Sequence, residues 1–149
     1  MARRVIEVKI EAAGRDHGKI FVITEMSALK AEKWGARALN AMSKSLGGFP
    51  DELMSAGMSG LTAVAISAFA RADYAAIEPL LDEMFDCIKI KEPAIERTPT
   101  DDDIEEVATR IKLREEVLEL HLGFFKAAIS WIMAAADRRL NTKDVPVNI

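Results

Sequence analysis

Two short strand-like runs separated by a glycine-containing turn limit this chain more than any other feature. In RVIEVKIE, residues 4–11, Ile6, Val8 and Ile10 point one way while Glu7, Lys9 and Glu11 point the other. That period of two is the signature of a strand with one wet face. KIFVIT, residues 19–24, is β-branched and aromatic and reads as a second strand. Between them, Ala12 to Gly18 contributes two glycines and an Asp, residues that accept the backbone angles of turns. The pattern predicts a β-hairpin within residues 1–26. A lone hairpin is marginal in water, so helices must cover its apolar face or another strand must pair with its edge.

Residues 27–90 supply a helical core. Ser27 can cap a helix running to about Ser45, with Leu29, Trp34, Ala38, Leu39 and Met42 on one side and Gly47-Gly48 at its end. Pro50-Asp51-Glu52 then opens a second helix. From Leu53 to Ala70 it carries no charge for 18 residues, the length at which a membrane span must be weighed. Ser55, Gly57, Ser59, Gly60, Thr62 and Ser67 lie inside it and its ends lack Trp and Tyr. The segment therefore reads as a buried helix packed closely through small residues. Asp73 can cap a third helix, DYAAIEPLLDEMFDCI, in which Pro79 predicts a kink or a fresh start. Cys87–Lys91 is open to a second reading, as a short third strand beside the hairpin.

KEPAIERTPT, residues 91–100, reads as a linker because of its two prolines. Thr100 can cap a long C-terminal helix over residues 101–140. Asp101, Asp102, Asp103, Glu105 and Glu106 in its first turn complement the helix dipole and face solvent. A continuous helix of that length would span roughly 60 Å, more than the about 40 Å expected for the whole domain. It must break, near Gly123, or carry its apolar end into another subunit or a partner. The polar residues 141–149 read as a flexible tail. The fold class expected is α+β, mainly α. It is a single domain over residues 1–149, with an N-terminal β-hairpin followed by a bundle of about four helices, the last one long.

Little in the chain looks like chemistry. A net charge of −4 argues against nucleic acid. The single cysteine, Cys87, suits a reducing compartment, and Met1-Ala2-Arg3-Arg4 leads into alternating residues rather than an apolar leader. Gly14-Arg15-Asp16-His17-Gly18-Lys19 superficially resembles a phosphate loop. It has one residue too few, Ile20 where Ser or Thr should follow, and a strand where a helix should start. It reads as a hairpin turn with surface charges. His17 and His121 have no ligand-spaced companions. Cys87 reads as a small core residue, and Glu78, Asp82, Glu83 and Asp86 as a solvated helix face. No catalytic, cofactor-binding or metal-ligating residue is expected, and no enzyme.

GRDHGKIFVITEMSALKAEKWGARAL, EPLLDEMFDCIKI and DDDIEEVATRIKLREEVLELHLGFF occur in this order between Gly14 and Phe125. Together they resemble tail assembly chaperones of long-tailed bacteriophages. The resemblance implies a small cytoplasmic, non-enzymatic protein that binds and solubilises the tape measure protein and is absent from the mature virion. It also implies homo-oligomers, with the tail tube protein and a frameshifted longer form of the same chain as further partners. A partner groove lined by adaptable side chains would draw on Met54, Met58, Leu61 and Phe69, or on Phe124, Phe125 and Trp131. The competing reading is a small structural virion component, a tail completion or tube-end protein.

Overall fold

The computed structural model describes residues 3–46 and 70–123, with residues 67, 134 and 138 as isolated positions. The expected hairpin forms from β1 (Val5–Lys9) and β2 (Ile20–Thr24), in the register Glu7↔Val22 and Val8↔Phe21. The sheet does not stop there. β3 (Ile88–Lys91) pairs antiparallel with β2, and β4 (Glu96–Arg97) with β3, giving the order β1-β2-β3-β4. Among the described residues three helices accompany it: α1 (Ala28–Leu46), α2 (Tyr74–Phe85) and α3 (Val107–Leu120).

The expected four-helix bundle after a hairpin is therefore replaced by helices packed on one face of a four-stranded antiparallel sheet. The reason lies in IKIK, residues 88–91, whose period of two matches the pleat of β2. Ile88 faces Ile23 and Ile90 faces Phe21 in the register, so both isoleucines join the same apolar face. The supposed linker is a second hairpin. Glu92 N–H bonds Ile95 O at 2.9 Å, and Pro93 and Pro99 flank a strand of two residues.

Sheet and helices share one core. Val8, Ile10, Phe21, Ile23, Ile88 and Ile90 meet Trp34 and Ala38 of α1, Leu80 and Met84 of α2, and Leu113 and Val117 of α3. The opposite face carries Glu7, Lys9, Lys89 and Lys91, all exposed. There an ion pair from Glu7 to Lys91 spans β2 above the buried Val22. α1 starts where Ser27 Oγ accepts from Lys30 N–H at 3.3 Å, an N-cap bond. The Trp34 indole donates to Leu80 O at 3.0 Å, and Arg37 forks onto Glu83, clasping α1 to α2. On the far side of α2, Arg110 and Arg114 lie 4.1 and 4.9 Å from the centre of the Phe85 ring.

Pro79 does not interrupt α2, which runs through it. The hydrogen bond it forfeits would end on Ala75 O. Ala75 and Pro79 both lie on the exposed side, where water satisfies that carbonyl. α3 begins at Val107 rather than 101, because Thr100 caps a separate 3-10 turn, Asp101–Asp103. It closes at His121, two residues before Gly123.

That closure is firmly held. His121 is buried; its Nδ1–H donates to Val117 O at 2.7 Å and its Nε2 accepts Met26 N–H at 2.9 Å. The two bonds define the neutral Nδ1–H tautomer. Arg4 reaches across from the edge of the sheet to Leu120 O at 2.9 Å. Two of the carbonyls a helix leaves open at its C-terminus are thereby satisfied. Replacing His121→Phe strands the Met26 amide, and we expect a loss of about 1–3 kcal/mol. Urea unfolding would register it as a lower midpoint with unchanged slope.

Candidate functional site

The turn that superficially resembles a phosphate loop holds an anion, but one of its own. Asp16 is 1% exposed. Its Oδ1 accepts Glu105 N–H at 3.0 Å and Lys19 Nζ at 2.9 Å; its Oδ2 accepts Glu106 N–H at 2.9 Å. The buried Thr109 side chain also favours the charged carboxylate. Glu105 and Glu106 stand at the N-terminus of α3, where free amides and the helix dipole favour negative charge. Asp16 thus caps, from the hairpin, a helix that starts some 90 residues later in the chain.

The turn is shaped to deliver it. Gly18, at φ 84°, donates to Ile10 O at 2.7 Å while Ile10 N–H bonds Lys19 O, the pattern of a glycine bulge. Gly14, at φ 149°, passes so close to α3 that an added Cβ would lie 3.3 Å from Glu106 Oε1. Arg15 then grips Glu106 Oε1 at 3.0 Å and Glu105 O at 2.7 Å. One turn of chain earlier, Arg97 forks onto Asp103 at 2.6 and 2.8 Å, and Asp103 accepts Thr100 N–H at 2.6 Å. Of the acidic run, only Asp101 and Asp102 are left to solvent without a described bond; Asp103 and Glu106 are structural.

Burial alone would raise the Asp16 carboxyl, but the Glu105 amide, Lys19, Thr109 and the Glu106 amide together hold it well below the usual carboxylate range. The Arg97 fork, with Thr100, does the same for Asp103. On acidification the unfolded chain therefore takes up these protons before the folded one. Their contribution to stability is complete above about pH 4 and is lost as pH falls below that value. We expect Asp16→Ala to cost about 3 kcal/mol at neutral pH. The gap from the wild type should narrow in unfolding titrations carried below pH 4.

A groove of about 650 Å³ runs beside this clamp. One wall is β1 and the turn after it, from Glu7 to Gly14; the other is α3 at Ala108, Thr109, Lys112 and Glu116. β1 is the outer strand of the sheet. Ile10 N–H bonds Lys19 O and Arg4 O accepts Glu25 N–H, at the two ends of β2, so the even-numbered residues turn their main-chain groups inward. Val5, Glu7 and Lys9 turn theirs toward the open side. No hydrogen bond among the described residues engages them.

The groups weighed as catalytic are dispersed. His17 is exposed, with Nδ1 3.1 Å from Glu11 O, and His121 is the helix closure already described. Cys87 sits in the core, where burial pushes its thiol up to about 11, so it is a poor nucleophile. Glu83 and Asp86 are tied to Arg37 and Lys30. Among the described residues no three His, Cys, Asp or Glu side chains converge as a metal site. No described helix is long and apolar enough to cross a membrane. Met54, Met58, Leu61, Phe69, Phe124, Phe125 and Trp131, and most of the charge-free segment, lie outside the described residues. The described surface adds an apolar pair one turn apart on α3, Val107 at 73% and Ile111 at 50% exposure.

No curated protein and no solved structure matches the chain. The model of one protein family, described as phage tail assembly chaperone protein, matches residues 17–130, which takes in β2, the three described helices and the partners of Asp16, though not Asp16 itself. The chain belongs to the phage tail assembly chaperone family.

Proposed function

We propose that the protein binds the tape measure protein and keeps it soluble during tail morphogenesis, without catalysis. The observation that carries this reading is the family match across residues 17–130. A tape measure protein is long and amphipathic, so its holder needs apolar surface that several copies can present along it. Val107 and Ile111 offer such surface on α3. Met54, Met58, Leu61, Phe69, Phe124, Phe125 and Trp131 remain proposed contributors, with Met and aromatic side chains suited to a variable partner. The tail tube protein and a frameshifted longer form of the chain are proposed as further partners, and the host cytoplasm as the place of action.

Co-expression with the tape measure protein, purified through a tag on that partner, tests the proposal. We expect a soluble complex with many copies of this chain, and precipitation of the partner expressed alone. The double substitution Val107→Glu, Ile111→Glu changes exposed positions, so the fold should persist while capture weakens by at least about tenfold, the equivalent of 1.4 kcal/mol. Absence of any complex, with the protein instead found in finished tails, would overturn the proposal in favour of a structural role.

A further inference from the structure

The two edges of the sheet are treated differently. β4 is two residues long and flanked by Pro93 and Pro99, a blunted edge that offers almost no ladder. β1 is five residues long, contains no proline, and directs the main-chain groups of Val5, Glu7 and Lys9 into an open groove. A strand of that kind pairs with another strand unless something prevents it. Its sequence selects which one.

We infer that β1 pairs antiparallel with β1 of a second copy about a two-fold axis at Val8, joining two four-stranded sheets into one of eight strands. The argument is one of register. Outward-facing residues must oppose outward-facing residues, so a two-fold axis must pass through a residue and not between two. An axis at Glu7 sets Glu7 against its own symmetry mate, and an axis at Lys9 does the same with lysine. An axis at Ile6 sets Lys9 against Arg3. Each places like charges directly opposite, which destabilises the pair. Axes at Val5 and Ile10 also oppose unlike charges, Glu7 to Arg3 and Lys9 to Glu11, but only by drawing in residues outside β1; the axis at Val8 alone sets Glu7 opposite Lys9 of the copy, both within β1, twice.

That register satisfies the rest of the strand. Glu7 and Lys9 form hydrogen-bonded pairs with their mates, giving four main-chain bonds. On the core face Val8 meets Val8, and Ile6 meets Ile10, extending the apolar layer across the axis. Glu7 holds Lys91 through Oε1, which leaves Oε2 to accept from the incoming lysine. In the groove wall Lys112 and Glu116 of α3, now bonded to each other at 2.7 Å, present the same complementary charges to a symmetry mate. This interface is independent of the tape measure reading, because it forms in the protein alone.

Light scattering and sedimentation of the purified full chain test it. The wild type should have an even number of chains, with twice 16.4 kDa as its smallest species. Lys9→Glu places four glutamates at the axis, and Glu7→Lys places four lysines there. Each should raise the dimer dissociation constant by at least about tenfold, with an unchanged far-ultraviolet dichroism spectrum. Mixing the two single variants should restore the wild-type mass, since each glutamate again meets a lysine; lost folding could not be rescued in this way. A wild type that is monomeric would overturn the inference. So would single variants that keep the wild-type mass, or a mixture that fails to associate. If β1 amides gain protection from hydrogen exchange only when the tape measure protein is added, the edge takes a strand of that partner and the inference likewise falls.

Discussion

A carboxylate with almost no contact with water organises this fold. Asp16 joins the β1–β2 hairpin to the helix that begins at Val107, at the helix end whose dipole favours an anion and with Lys19 as its counter-charge. The two glycines of its turn, the bulge at Gly18 and the grip of Arg15 on Glu106 all serve its position. With the N-terminus of α3 held by Asp16 and its C-terminus by Arg4 and His121, the helix is fastened to the hairpin at both ends. Its apolar face, Leu113 and Val117, has no freedom to slide along the sheet.

The parts of this arrangement that rest on short-range pattern were legible in the sequence. β1, β2 and the span of α1 follow from periods of two and between three and four, and from Ser27 as a cap. The parts that rest on distant partners were not. IKIK is too short to separate strand from helix by periodicity, and only its register with β2 decides the matter. β4 was hidden by the prolines that flank it. The start of α3 was misplaced because Thr100 and Asp103 satisfy each other locally, which looks like a helix cap but serves a single 3-10 turn. Asp16 could be read as a turn residue and nothing more, since its distant donors, two backbone amides, carry no side-chain signature at all.

The likeness of GRDHGK to a phosphate loop is instructive in this light. A helix N-terminus that binds phosphate uses the free amides of its first turn; Asp16 takes the amides of Glu105 and Glu106, immediately ahead of the first turn of α3. What differs is where the anion comes from. Here the negative group is covalently part of the chain, so the site is filled as a condition of folding and is closed to ligands. Ahead of α3, Arg97, Arg15 and Lys19 likewise pair with Asp103, Glu106 and Glu105 of the acidic run.

The order of the chain in time gives the hairpin an unusual position. β2 waits for β3 until residue 91 has been made, and Asp16 waits for Glu105 and Glu106 later still. A ribosome adding about 5–20 residues each second leaves the nascent hairpin for several seconds with its apolar face bare and both edges unpaired. Emerging before its partners, it is among the last elements to be satisfied. During that interval the nascent chain presents to its surroundings the kind of sticky, half-finished surface that assembly chaperones exist to shield in others.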